Sequence, residues 1–122
     1  MICPCDTGRE YDECCGRLHQ GKLAPTAVAL MRSRYSAFVL RLDDYLFDTW
    51  HSSTRPRDTG DRIDWCELII EEVSGGKAWD ERGEVQFTAR YSGPGVPGRI
   101  RERSQFVFEQ GRWWYLDGVQ LA

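Results

Sequence analysis

Four of the five cysteines crowd into the first fifteen residues, as Cys3, Cys5, Cys14 and Cys15, and Cys66 stands alone. The pattern is Cys-x-Cys-x8-Cys-Cys, with Pro4 stiffening the first pair and Gly8 in the loop between the pairs. Two disulfides, a redox dithiol and a tetrathiolate metal site compete for such a pattern. Disulfides fit poorly, because no basic n-region and apolar h-region opens the chain and adjacent cysteines close a strained ring. A thioredoxin-like centre needs Cys-x-x-Cys at a helix start after a strand, and that motif is missing. A metal site needs two short chelating arms joined by a loop, which is the layout here.

Zn²⁺ takes four N or S ligands in a tetrahedron, with Zn–S near ~2.3 Å. A segment this short builds no hydrophobic interior, so an ion would have to order it; comparable peptides bind zinc with about 10–16 kcal/mol. Fe(II) suits the same thiolates, so the ligands alone leave iron open beside zinc. Arg9, Arg17 and Lys22 would offset part of the thiolate charge. His19 is surplus as a fifth ligand and reads as a surface or outer-sphere histidine. Cys66, in a strand-like run over residues 65–70, reads as a small buried hydrophobe.

The remainder suits one ordinary domain. With 122 residues, 41% of them hydrophobic, the chain can bury a core. No apolar run approaches the ~18 residues of a membrane-spanning helix, and with no targeting segment the expected compartment is the cytoplasm. A net charge of −3 argues against a dedicated nucleic-acid binder. Residues 22–25 read as a linker, dividing a metal-binding knuckle over 1–21 from a domain over 22–122. After Pro25, Thr26 is set to cap a helix in which Ala27, Leu30, Met31, Tyr35, Phe38 and Leu42 recur at the helical period. Asp43 or Asp44 caps a second helix carrying Tyr45, Leu46 and Phe47 toward Trp50. Residues 51–60 are polar and broken by Pro56 and Gly60, hence a loop.

Beyond that loop the period becomes two. Strands are expected over 63–73, 84–92, 99–109 and 112–120, separated by Gly75-Gly76, a turn over 93–98, and a tight hairpin at Gln110-Gly111. Helices first and hairpin-linked strands after indicate an α+β fold, an antiparallel sheet with helices on one face.

Cys3-Pro4-Cys5 followed by Cys14-Cys15 resembles the SEC-C motif, the metal-binding knuckle of the SecA translocation ATPase. Leu30-Met31-Arg32-Ser33-Arg34-Tyr35-Ser36-Ala37-Phe38-Val39, Asp44-Tyr45-Leu46 with Thr49-Trp50-His51, and the stretches from Glu102-Arg103-Ser104 to Gly111-Arg112-Trp113-Trp114-Tyr115-Leu116-Asp117-Gly118 resemble the bacterial YchJ-like family. That resemblance implies a SEC-C knuckle with Zn²⁺ on Cys3, Cys5, Cys14 and Cys15. It also implies a cone like that of cystatin and nuclear transport factor 2, in which a curved antiparallel sheet wraps helices. It brings no established activity. Some relatives carry a second knuckle after the cone; none appears here through Ala122, so functions needing two are not expected.

Cone folds host enzymes and plain binding modules alike, so the inward polar groups matter most. Arg34 falls in the apolar stripe of the first long helix while Arg32 points away. Glu102 and Ser104 share a strand face with Ile100, Phe106 and Phe108. Arg34 and Glu102 are therefore expected to meet as a buried charge-assisted pair fixing helix against sheet. His51, beside Trp50, is a weak candidate for acid–base catalysis; a helix-end histidine bonding backbone carbonyls is the plainer reading. The aromatic residues, Trp65 and Trp79 among them, read mostly as core. Adjacent Trp113 and Trp114 must face opposite sides of the sheet, which suggests a homodimer through the sheet or a contact with the knuckle. Arg99, Arg101 and Arg103 read as a solvated face rather than a phosphate or RNA contact.

Two functions follow. The first is a zinc-binding accessory or interaction protein whose knuckle presents a surface to a protein partner, by analogy one tied to secretion or the ribosome. The alternative is a small-molecule-binding protein or enzyme using a cone pocket lined by Arg34, Tyr35, Trp50, His51 and Glu102. No enzymatic activity is the favoured expectation.

Overall fold

The computed structural model describes residues 1–58, 60, 62–92 and 95–121. Thr59 of the expected loop and Gly93 and Pro94 of the expected turn lie outside them. A short N-terminal hairpin, bridged at Ile2 and Glu10, leads through a 3-10 turn (Tyr11–Glu13) into helix α1 (Cys15–His19). Helices α2 (Ala27–Leu40) and α3 (Asp43–Asp48) follow, then strands β1 (Asp64–Gly75), β2 (Arg82–Ser92), β3 (Gly98–Glu109) and β4 (Arg112–Gln120). The strands form one antiparallel sheet in the order β1-β2-β3-β4. The architecture is α+β, with the helices packed against an open four-stranded sheet.

Thr26 caps α2 as its side chain dictates, accepting from the Ala29 amide at 3.1 Å. Arg41 ends the helix in the left-handed conformation at φ 60°. No aspartate caps α3: Leu42 holds the N-cap position without a side-chain hydrogen bond, and Asp43 and Asp44 lie in the first turn, where negative charge suits the helix dipole. In the β3–β4 hairpin Gln110 and Gly111 both take positive φ, 55° and 80°, as a two-residue turn matched to strand twist requires. Irregularities in pairing at Trp65/Glu67, Ile70/Glu72 and Gln105/Phe106 bend the sheet around the helices.

The core lies between α2 and the inner sheet face, where Leu30, Met31, Val85, Phe87, Phe106 and Trp113 are buried. Each large side chain removed from water there contributes roughly 1.5–3 kcal/mol. After α3 the chain runs beside β4: Trp50 bridges Tyr115, and the Tyr115 amide donates to Thr49 O at 2.8 Å. On the outer face Arg101 pairs with Glu71, Arg103 with Glu72 and Glu84, and Arg90 with Glu67.

Two expectations about the core fail. Cys66 is exposed, because the irregularity beside it leaves its thiol on the outer side near Arg90 O. Trp79 sits in the β1–β2 turn, 79% exposed, with the Lys77 ammonium 5.9 Å from its ring. Trp113 and Trp114 do face opposite ways: Trp113 is buried, and Trp114 lies under the Arg112 guanidinium with its indole N–H bonded to Glu109 O.

Candidate functional site

The two cysteine pairs reach one point because each sits on a different turn of the N-terminal segment. Cys3 begins the knuckle turn, its amide bonded to Arg9 O at 2.8 Å, and positive φ at Asp6 and Gly8 brings the chain back. Cys14 takes the irregular conformation between the 3-10 turn and α1, and Cys15 opens α1. Gly16 follows by necessity, since a Cβ there would lie 2.7 Å from Tyr11 O. The four Sγ atoms all lie within 4.8 Å of one another, and all four thiols are free. A tetrahedron with ~2.3 Å bonds places sulfurs about 3.8 Å apart, so a small contraction would seat an ion. The donor set and its spacing fit a metal.

Cys3, Cys5 and Cys15 are buried and Cys14 is half-buried. The cluster's protons are shared unevenly. The hydrogen bond from Cys15 holds the Cys5 thiol well below the usual range, and the same bond together with burial drives Cys15 far up. Burial raises Cys14. A dication would resolve this by taking all four sulfurs as thiolates. Thr7 Oγ1 touches Cys14 Sγ at 3.3 Å and Cys5 Sγ at 3.6 Å, and Ser36 Oγ lies 3.6 Å from Cys3 Sγ.

The knuckle is docked on the domain. Arg32, turned from the sheet, donates to Cys5 O at 2.6 Å, and the Leu68 amide of β1 donates to Asp6 Oδ2 at 2.8 Å. His19 is a strut between the two parts: its Nε2–H donates to Ser33 O at 2.8 Å, which leaves Nδ1 to accept from the Tyr11 hydroxyl at 2.5 Å. Burial lowers its pKa and keeps it neutral.

A second candidate site lies in the domain. A cavity of about 200 Å³ opens between α2 and the sheet, and Arg34, Tyr35, Trp50 and Glu102 line it together with Phe38, Trp65, Ile100 and Tyr115. Arg34 and Glu102 both face inward but do not pair. Arg34 Nη1 donates instead to Leu46 O (2.9 Å) and Thr49 Oγ1 (2.7 Å), with its guanidinium over the Trp50 and Tyr115 rings. Glu102 accepts from Ser104, Gln120 and Tyr115, and its side chain lies over Gly118, where any Cβ would collide with it. His51 is not among the lining residues. Its imidazole bonds the Ser53 hydroxyl and the Glu109 carboxylate, neither of them a backbone carbonyl. Sequence reasoning missed Thr49, whose buried hydroxyl was hidden at the end of a short helix, and Tyr115, read as core.

Comparison with known proteins places these features. Residues 26–118 match the model described as "YchJ, middle NTF2-like domain", and residues 2–17 match the SEC-C motif. A UPF0225 protein of Xanthomonas campestris pv. campestris is 46% identical over 120 residues, covering 94% of this chain and 92% of its own length. A UPF0225 protein of Chromobacterium violaceum is 45% identical, covering 96% and 91%. The solution structure of a SEC-C motif containing protein from Rhodopseudomonas palustris superposes with TM-score 0.84 at 35% identity, covering all of both chains. A SEC-C motif containing protein from Psychrobacter arcticus, known from a crystal structure, gives 0.76 at 27%, covering all of this chain and 84% of its own.

Proposed function

Because the chain belongs to the YchJ-like UPF0225 family of SEC-C motif proteins, we propose that it is a cytoplasmic zinc-binding accessory protein whose metal-locked knuckle is offered to a protein partner. The observation that carries this reading is the convergence of four free thiols, their sulfurs all within 4.8 Å of one another. Zn²⁺ suits it because four thiolates close a tetrahedral site and leave no open position for catalysis. The outward side of the hairpin supports the partner role: Met1 is 68% and Ile2 57% exposed, while the cysteines face inward. A partner in secretion or at the ribosome remains an analogy with the SecA knuckle. Among the described residues no helix is long and apolar enough to cross a membrane.

Elemental analysis of protein purified without added metal tests the first half. About one zinc per chain is expected, lost in Cys14→Ser. Iron in its place would change the metal, and absence of any metal would remove the premise. For the second half, Ile2→Asp and Cys14→Ser are expected to abolish cross-linking to the same cellular protein, Ile2→Asp with its zinc intact. Unchanged cross-linking in Ile2→Asp would refute the partner surface.

A further inference from the structure

Arg34 is 4% exposed, yet among the described residues no carboxylate forms an ion pair with it. Its hydrogen bonds run from Nη1 to a neutral carbonyl and a hydroxyl, and the Trp50 and Tyr115 rings, 5.0 Å from each other, lie 4.9 and 4.5 Å from its Cζ. Burial pulls the guanidinium down to about 10, and Tyr115, Tyr45 and Glu102 offset only part of that cost. Stacking on rings lessens the expense of a buried cation without neutralising it. A second donor on the same wall is also unspent. The Trp50 indole N–H is buried with no acceptor among the described residues, and its ring is one of the two packed against Arg34. Tyr35, on the cavity wall, likewise has a buried hydroxyl without a partner among the described residues.

Unpaired buried donors around an open cavity call for an acceptor from outside the chain. The acceptor is an anion, because a guanidinium is among the donors. It is a carboxylate rather than a phosphate, for two reasons. Glu102 lines the same cavity and would repel a dianion. The guanidinium fork accepts either anion, but the wall beyond it is mostly apolar, which suits a carboxylate on an organic body and not a fully hydrated inorganic phosphate. The rest of the ligand is apolar and ring-sized: Met31, Phe38, Trp65, Phe87 and Ile100 supply the remaining wall, and a dry cavity of roughly 150 Å³ already takes benzene, against about 200 Å³ here.

We propose that the cavity between α2 and the sheet binds a small aromatic or branched-chain carboxylate, its charged end on Arg34 and the Trp50 indole N–H and its apolar body against Phe38 and Ile100. This site is separate from the cysteine cluster and does not depend on the metal's identity.

Titration of the metal-loaded protein with benzoate, benzyl alcohol and inorganic phosphate, followed by the Trp50 indole N–H resonance, tests it. Benzoate is expected to give a saturable shift, benzyl alcohol to bind at least about tenfold more weakly, and phosphate to leave the resonance in place. Trp50→Phe, titrated by calorimetry because it lacks that indole, keeps a ring beside Arg34 and is expected to weaken benzoate about fivefold or more. Ile100→Trp, which fills the cavity while leaving Arg34 intact, is expected to abolish binding. Equal affinity for benzyl alcohol would show an apolar hole with no anion site. Binding of phosphate alone would show a bare anion site, and absence of a saturable benzoate shift would show no site. Each of these results overturns the proposal; the wild-type comparison decides it even if a variant fails to fold.

Discussion

His19 shows how one residue ties the metal segment to the domain, and its protonation makes that tie testable. Both ring nitrogens are committed, Nε2–H as donor to Ser33 O and Nδ1 as acceptor from Tyr11, so the folded protein has no place for a second ring proton. Burial lowers its folded pKa below the ordinary value. Below about pH 6.5 the unfolded chain therefore binds a proton that the folded one refuses, and stability falls as pH falls, by at most about 1.4 kcal/mol per pH unit. His19→Gln is expected to flatten that decline between about pH 6.5 and 5.5 in denaturant titrations of metal-loaded protein. An unchanged slope in the variant would place the proton elsewhere. The sequence marked His19 as surplus to the four sulfurs, a surface or outer-sphere residue, but not its partners Tyr11 and Ser33. Arg34 and Glu102 carry the same lesson: periodicity gave each its inward face, and α3 then took the guanidinium through Leu46 and Thr49 while Ser104 and Gln120 took the carboxylate. A face follows from period; reach depends on which neighbour arrives first.

Helix α2 was expected to bury one stripe and buries nearly its whole circumference. Ser33, Ser36 and Arg34 are as buried as Leu30 and Met31, because α3 and the knuckle cover the sides that the sheet does not: Ser36 meets Cys3, Ser33 meets Tyr45, and Arg34 meets Leu46 and Thr49. The knuckle's cover is a long-range contact, as with Asp6 and Leu68, 62 residues apart. No local pattern encodes it. Strands and their hairpins were legible because alternation and turn residues are local. The approach of α2 to the sheet is set at its N-terminus. Ala27 donates to Gly76 O at 2.9 Å, and a Cβ on Gly83 would lie 2.5 Å from Gly76 Cα and 2.9 Å from Ala27 Cβ. Gly83→Ala must push helix and turn apart, with an expected loss of about 1–3 kcal/mol in chemical denaturation. Thr26→Ala removes the cap alone and is expected to cost about 1 kcal/mol. A Gly83→Ala variant as stable as the wild type would show that helix and turn have room for the added methyl group.

At the scale of the whole molecule, the cysteine cluster belongs to the core and is more than an appended module. Cys3, Cys5 and Cys15 share one buried cluster with Ala27, Leu30, Met31 and Phe87. A bound metal would therefore stabilise more than the N-terminal hairpin: it would fix the cover over Ser33 and Ser36 and, through Arg32 and Asp6, the knuckle's contacts with α2 and β1. An independent knuckle on a linker would melt alone on chelation and leave the domain's transition in place. A docked knuckle predicts one cooperative transition that moves as a whole. If chelation withdraws even about 4 kcal/mol of the binding energy such sites carry, the midpoint should fall by at least about 10 °C for a chain of this size. Calorimetry with and without a chelator, with hydrogen exchange read at the amides of α2, distinguishes the cases. Accelerated exchange confined to residues 1–21, with the main transition unmoved, would show that the packing seen around α2 survives without the ion.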